Sequence, residues 1–302
     1  MNRERFLECM AWCGTGVVYG LTGTGMVGKA LASAGKTQPG GRTFVQISDT
    51  HVGFGGAANP DVIATFQKSI NLINALPQPP EFVMHTGDLT HLSKPDQFDT
   101  VKQMLGTIKA GAFYAVPGEH DVIDDRGLQF FKMFGHNADG GAREWYSFDA
   151  AGVHSLGLTN VLDIKKGGVL GRDQLEWARN DLAGQRASMP IVVFAHIPLY
   201  AVYPQWGWST DDYLELLAML RRFDSVTVLN GHIHQVFTKT DGNVTFYTAD
   251  STAFPQPAPG TAPHPGPLKV AAGELAKHLG VRTVTLAASS KRIAVADSSL
   301  AM

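Results

Sequence analysis

Short apolar runs recur along this chain, and the segments between them carry apolar residues at helical spacing. The first run, 43–48, reads Thr-Phe-Val-Gln-Ile-Ser, and residues 60–76 follow with Val62, Ile63, Phe66, Ile70, Ile73 and Leu76, close to the 3.6-residue period of an amphipathic helix. Asn59-Pro60 reads as a cap followed by a first-turn proline. The pattern then repeats: strand 81–86, helix 95–109, strand 112–116, helix 124–134, a β-rich stretch 145–158, helix 172–183, strand 191–195, helix 211–222 and strand 226–229. Such alternation predicts an α/β protein with a largely parallel core. Three further strands at 244–249, 281–287 and 291–296 have no helices between them and predict a second sheet packed on the first. There is no internal repeat.

What closes each run matters more than the run itself. Strand 43–48 ends in Asp49-Thr50-His51, strand 81–86 in Gly87-Asp88, and strand 112–116 is followed by Gly118-Glu119-His120-Asp121. Strand 191–195 ends in His196, and strand 226–229 in Asn230-Gly231-His232-Ile233-His234. In open α/β sheets the loops beyond the carboxyl ends of the strands form the ligand crevice. Five strand ends therefore deliver carboxylates and imidazoles to one rim. Asp49 and His51 stand two apart, as do His232 and His234, and in an extended segment such residues point the same way. A lone His after a strand is usually a satisfied polar residue. So many converging groups would instead carry large desolvation costs without a cation to offset them. The chain's cysteines, Cys9 and Cys13, both precede the first strand, so any such metal is held by His and carboxylate, which suits Zn, Mn or Fe.

Apart from Glu119, this order resembles the signature of calcineurin-like metallophosphoesterases, D-x-H, G-D, G-N-H-[DE], H, G-H-x-H, over 43–250 of this chain. That resemblance implies a four-layer α/β/β/α sandwich of two packed mixed sheets with a dinuclear metal site at the strand ends. Carried over by position, it implies that Asp49, His51, Asp88 and His234 hold one ion. Asp88 would bridge to a second, completed by Glu119, His196 and His232, and His120 would be the catalytic histidine that is not a ligand. The implied activity is hydrolysis of a phosphodiester or phosphomonoester by a hydroxide that the metal pair activates, with His120 assisting. A metal-binding protein of the same fold with little turnover is the alternative. The implied partner is a small-molecule phosphoester, with nucleotides among the candidates.

Two positions depart from the family pattern. Glu119 stands where the family usually has Asn, so Asp49, Asp88 and Glu119 set three negative charges against two cations. That charge would favour a harder pair, such as Fe³⁺ beside a divalent ion, or would weaken the Lewis acid. His91, three residues after Asp88, replaces an acidic residue of the phosphoprotein-phosphatase branch and argues against that substrate class. The remaining histidines, His85, His136, His154, His264 and His278, are read as structural or exposed. Tyr200, Tyr203, Trp206 and Trp208 follow His196 closely; they suit either stacking on an aromatic substrate group or packing of a loop. Six prolines between 255 and 267 make 254–267 a stiff, strand-incompatible segment, read as a surface crossing before the C-terminal strands at 281–298.

Residues 1–34 read as an export signal ahead of a domain over 35–302. Arg3 and Arg5 precede a moderately apolar stretch, and Ala32-Ser33-Ala34 offers a small-x-small cleavage site. The start resembles a twin-arginine signal with Glu4 in place of one arginine, so the expected destination is periplasmic or extracellular, by that route or the general secretory one. An amphipathic N-terminal helix in a cytoplasmic protein is the alternative. The stretch is too weakly hydrophobic for a stable membrane span. Within it, residues 23–29 match G-x-x-x-x-G-K, but Ala30 follows the lysine and no strand signal precedes Gly23, so the context a phosphate-binding loop requires is missing. A formal net charge of -2 gives no basic surface for nucleic acid.

Overall fold

The computed structural model describes residues 17–22, 25–30, 41–135, 144–271, 273–287 and 293–301, and the chain divides into two units, Met1–Pro39 and Gly40–Met302. In the first unit β1 (Val17–Thr22) pairs antiparallel with β2 (Gly25–Ala30). A strand therefore does precede Gly23, contrary to the sequence reading, as the β-branched Val17, Val18 and Thr22 allow. The segment 25–30 is a strand where a phosphate-binding loop needs a helix, and neither 17–22 nor 25–30 is helical. Arg3, Arg5, both cysteines and the Ala32–Ala34 site lie outside the described residues, as does His136.

In the second unit the chain runs β3 (Arg42–Ile47), α1 (Val62–Asn74), β4 (Val83–His85), α2 (Pro95–Leu105), β5 (Phe113–Ala115), α3 (Leu128–Phe134), β6 (Tyr146–Ala150) and β7 (Val153–Gly157). It continues through α4 (Arg172–Ala183), β8 (Ile191–Phe194), α5 (Tyr213–Leu220), β9 (Val226–Asn230), β10 (Thr238–Asp241), β11 (Val244–Thr248), β12 (Gly280–Leu286) and β13 (Ile293–Ser299). Two mixed sheets result, ordered β13-β12-β3-β4-β5 and β10-β11-β9-β8-β7-β6. The side-chain alternation of a strand decides which layer each residue joins. Phe44, Phe82 and Met84 of the first sheet meet Val192, Phe194 and Leu229 of the second in a core between the sheets. Their neighbours Val45 and Val83 point the other way, against Phe66 and Ile70 of α1, Phe98 of α2 and Phe130 of α3. Ile191 and Val193 likewise face Leu175 and Leu182 of α4 and Leu216 and Leu220 of α5. This is the α/β/β/α sandwich. Each such fully buried side chain contributes about 1.5–3 kcal/mol.

Three details differ from the sequence reading. The cap of α1 is Asp61, whose Oδ1 accepts from Ala64 N at 2.9 Å. Asn59 instead ties the loop to Thr65 Oγ1 and to the carbonyl of Ala253. The C-terminal strands do not begin a second sheet: β12 lies antiparallel on β3 and covers the edge that this buried strand would otherwise leave open. Arg282 fixes that join, donating to Gln46 Oε1, to the Thr248 carbonyl and to Asp297. Finally, β10 has no apolar pattern to announce it; it is a short, polar edge strand paired with β11.

Buried His154 of β7 bridges Asp149 Oδ1 and Asp181 Oδ2, each at 2.7 Å. Burial opposes its charge, but the two carboxylates outweigh that and raise its pKa; Asp181 is lowered, the imidazole outweighing burial. The His154 contribution is complete below the unfolded value near 6.5 and is lost as pH rises through the folded one. The Asp181 contribution is complete above its unfolded value near 3.8 and is lost as pH falls. Thermal melts from pH 5 to pH 9 should show His154→Asn about 1.5–3 kcal/mol less stable than wild type near pH 5.5. The gap should narrow toward pH 9, and a constant gap would rule out the charged pairing.

Candidate metal centre

All seven side chains singled out as ligands, together with His120, stand at the carboxyl ends of β3, β4, β5, β8 and β9. They do not converge by simple strand alternation. Asp49, His51, Asp88, His232 and His234 all adopt positive φ, between 41° and 72°, so each is turned inward by a left-handed residue just past its strand. Non-glycine residues pay about 1–3 kcal/mol for such strain, which clusters at functional sites. Glycines let the loops close. A Cβ on Gly118 would overlap Asp88 Oδ1, and one on Gly231 would overlap Ser48 Oγ.

Asp88 stands at the middle. Its Oδ2 lies 3.5 Å from His51 Nε2 and 3.4 Å from His196 Nε2. On one side, His234 Nε2 is 3.3 Å from both Asp49 Oδ1 and His51 Nε2. On the other, Glu119 straddles two imidazoles, Oε2 at 2.9 Å from His196 Nε2 and Oε1 at 3.0 Å from His232 Nδ1. Asp49 Oδ1 is also 3.9 Å from His196 Nε2. Donor atoms roughly 3 Å apart are what ions with bonds of about 2.0–2.2 Å would gather.

The donors suit cations in a second respect. Glu119 Oε2, His196 Nε2 and His232 Nδ1 are buried and have no hydrogen-bond partner, a costly state unless something else satisfies them. The far sides of the rings are engaged. His196 Nδ1 donates to the Thr86 carbonyl at 2.7 Å and His234 Nδ1 to that of Phe254 at 2.6 Å, which fixes the tautomer that turns Nε2 inward. Charge points the same way. Burial opposes the ionised form of Asp49 and of Glu119, yet neighbouring imidazoles hold both carboxyls below their ordinary range. Asp88 and Glu119 raise His196 well above its own range despite burial. Burial first, then His234, His120 and His91, hold His51 well below. Ions taking these positions would displace the His196 proton.

His120 is placed differently. Its Nδ1 donates to the His91 carbonyl at 2.8 Å and its backbone N–H to Asp88 Oδ1 at 2.9 Å. Burial lowers its pKa, but Asp88, Glu119, the His91 carbonyl and Asp121 together raise it. His91 lies parallel to it, ring centroids 4.8 Å apart, with Nδ1 3.3 Å from Nδ1 of His51. Thus His91, which stands outside the motifs, touches the cluster. His85 does not: burial pushes it down to about 3, and the neutral ring bridges Gly87 N and Thr50 Oγ1. His264 and His278 are exposed.

Sequence reasoning missed three contributors. Asp121 accepts from the backbone N–H groups of Leu89, Thr90 and Gly118 and from the Thr90 hydroxyl, locking the Asp88 loop to the Glu119 turn. Phe254 stacks on His51 at 4.8 Å and 26°, and Gln256 donates to the His232 carbonyl at 2.8 Å. The proline-rich segment is therefore a wall of the centre at its start, and a surface crossing only from about Gly260 on; the prolines masked the two residues that matter. In the aromatic loop Tyr200 and Trp208 are buried core residues, while Tyr203 and Trp206 remain half-exposed and pair edge-on at 5.2 Å.

Residues 42–236, more than half the chain, match the calcineurin-like phosphoesterase family. The chain belongs to that family. Among relatives of this phosphoesterase, a Rhodococcus erythropolis protein named "Probable cyclic nucleotide phosphodiesterase" is 27% identical over 70% of this chain and 71% of its own length. A Nostoc 3',5'-cyclic-nucleotide phosphodiesterase is 24% identical over 70% and 79%, and a Bos taurus serine/threonine-protein phosphatase is 26% identical over 61% and 60%. A Psychrobacter relative is covered over only 52% of its length. A dimetal phosphatase from Danio rerio shares the fold, with TM-score 0.58 and 15% identity over 86% of this phosphoesterase and 98% of that chain. The purple acid phosphatase of yellow lupin does so at TM-score 0.61 and 15% identity, over 87% and 52%.

Proposed function

We propose that this phosphoesterase hydrolyses small phosphodiesters, with 3',5'-cyclic nucleotides as the first class to test, at a pair of Mn, Fe or Zn ions. The observation that carries the dinuclear reading is Asp88, one oxygen of which stands within 3.5 Å of a ring nitrogen from each of two donor sets. In this reading Asp49, His51, Asp88 and His234 hold one ion, and Asp88, Glu119, His196 and His232 the other. Two ions so held would supply the Lewis acid for an in-line displacement at phosphorus. The chain's own groups do the rest. His196 and His234 are oriented by the carbonyls behind them, and Phe254 closes one side to water. His120, anchored through Nδ1 to the His91 carbonyl, keeps Nε2 for the substrate, where it donates a proton to the departing oxygen. General acid catalysis of this kind supplies about 10²–10⁴ in rate. The diester preference draws on the relatives named as cyclic-nucleotide phosphodiesterases.

The test is turnover after loading with Mn²⁺, Fe or Zn²⁺, comparing bis(p-nitrophenyl) phosphate, p-nitrophenyl phosphate and 3',5'-cyclic AMP. The diesters should be hydrolysed with kcat/KM at least tenfold above the monoester, and His120→Ala should abolish most of it. Metal-loaded protein that cleaves none of them, and that His120→Ala leaves unchanged, would establish the alternative of a metal-binding scaffold.

A further inference from the structure

Three carboxylates converge on the centre, and they differ in what they face. The side chains of Asp49 and Asp88 are 0% and 2% exposed, sealed beneath the imidazoles, whereas Glu119 keeps 28%. Glu119 reaches across His196 and His232 with both oxygens, Oε2 buried against His196 and Oε1 toward the more exposed His232, so of the three charges its own stands nearest the open side of the site. Two divalent ions bring four positive charges and the three carboxylates three negative ones, leaving one; with a neutral residue at 119 two would remain. Lys94 and Arg126, which follow Asp88 and Glu119 in sequence, are each already engaged. Lys94 is paired with Asp124 at 2.7 Å and Arg126 with Asp163 at 3.3 Å.

We propose that Glu119 sets substrate charge: its carboxylate, the outermost of the three at the centre, disfavours phosphomonoester dianions relative to phosphodiester monoanions. This rests on the phosphodiester reading above and names the residue that enforces it. The physical ground is that Coulomb energy scales with the product of the charges. Glu119 therefore repels a dianion about twice as strongly as a monoanion in the same place, and being partly solvated it acts through a damped but not extinguished field.

The experiment uses the full chain loaded with Mn²⁺, its metal content measured, and titrates inorganic phosphate at pH 8 and dimethyl phosphate by calorimetry. Glu119→Gln, which keeps the shape and removes the charge, should tighten phosphate on the order of tenfold or more and dimethyl phosphate by about the square root of that factor. Glu119→Asp should retain the wild-type preference. Equal factors for the two anions in Glu119→Gln, or no change at two metals per chain, would overturn the proposal. If Glu119→Gln loses an ion, Glu119→Asn with two metals per chain decides by the same pair of titrations, and equal factors for the two anions there sink it. Because binding is read separately from turnover, a protein that discriminates by charge yet hydrolyses nothing would refute the phosphodiester reading alone. Hydrolysis of diesters without charge discrimination would refute only the role of Glu119.

Discussion

Asp88→Asn should lower phosphodiester turnover by on the order of 10³ or more and reduce bound metal from two ions per chain to one or fewer. The substitution keeps the side chain's shape, so the effect isolates charge and donor quality. One carboxylate oxygen accepts the His120 backbone N–H at 2.9 Å and the other stands between His51 and His196. An amide can serve one of these neighbours well and not both: with its oxygen toward the ions, its NH₂ meets the His120 N–H as a second donor. The same amide removes one of the three negative charges that hold the cations. Metal analysis by mass spectrometry, with kcat/KM on bis(p-nitrophenyl) phosphate and a thermal melt to confirm folding, reads each part. Two ions retained and a rate within tenfold of wild type would refute a bridging role.

His120→Ala should lower kcat by about 10²–10⁴ while both ions remain bound. The retained metal follows from the proposed assignment, in which His120 is no ligand: its ring is held through Nδ1 by the His91 carbonyl and packs edge-on against His51, centroids 4.9 Å apart. The size of the loss should depend on the leaving group. A p-nitrophenolate departs readily without a proton, whereas an alkoxide such as the 3'-oxygen of a ribose needs one. Loss on a cyclic nucleotide should therefore exceed loss on bis(p-nitrophenyl) phosphate by about tenfold. Equal losses on both would assign His120 to charge stabilisation at the phosphoryl oxygens instead.

The strand–helix alternation carried most of the fold, because each apolar run belongs to a sheet buried on both faces. It failed where burial did not write the sequence. β10 is polar because it lies at an edge, and β12 joins β3 through Arg282, a pairing between residues more than two hundred apart that no local pattern encodes. For the centre, the glycine-flanked motifs named the donors that stand on either side of Asp88, while His91, outside them, joins the cluster through His51 and His120. Their convergence was visible, but its means was not. Strand alternation suggested parallel side chains two apart, whereas left-handed turns bring Asp49 and His51 together. The contributors that escaped notice act through the backbone or through shape. Phe254 offers a carbonyl and a ring face, Gln256 reaches a carbonyl, and Asp121 gathers N–H groups, none of which leaves a signature in residue order.

Those left-handed turns also narrow the alphabet open to the centre. Five positions, 49, 51, 88, 232 and 234, hold a backbone shape that Gly, Asn, Asp and His enter most easily and that β-branched residues resist. Selection for a new metal or a new reaction here can trade Asp, Asn, His and Gly among these sites at little cost to folding. Val, Ile or Thr at any of them would first have to rebuild the turn. The backbone thus acts as a filter on variation ahead of any chemistry, and a library confined to those four residue types samples most of what the scaffold can accept.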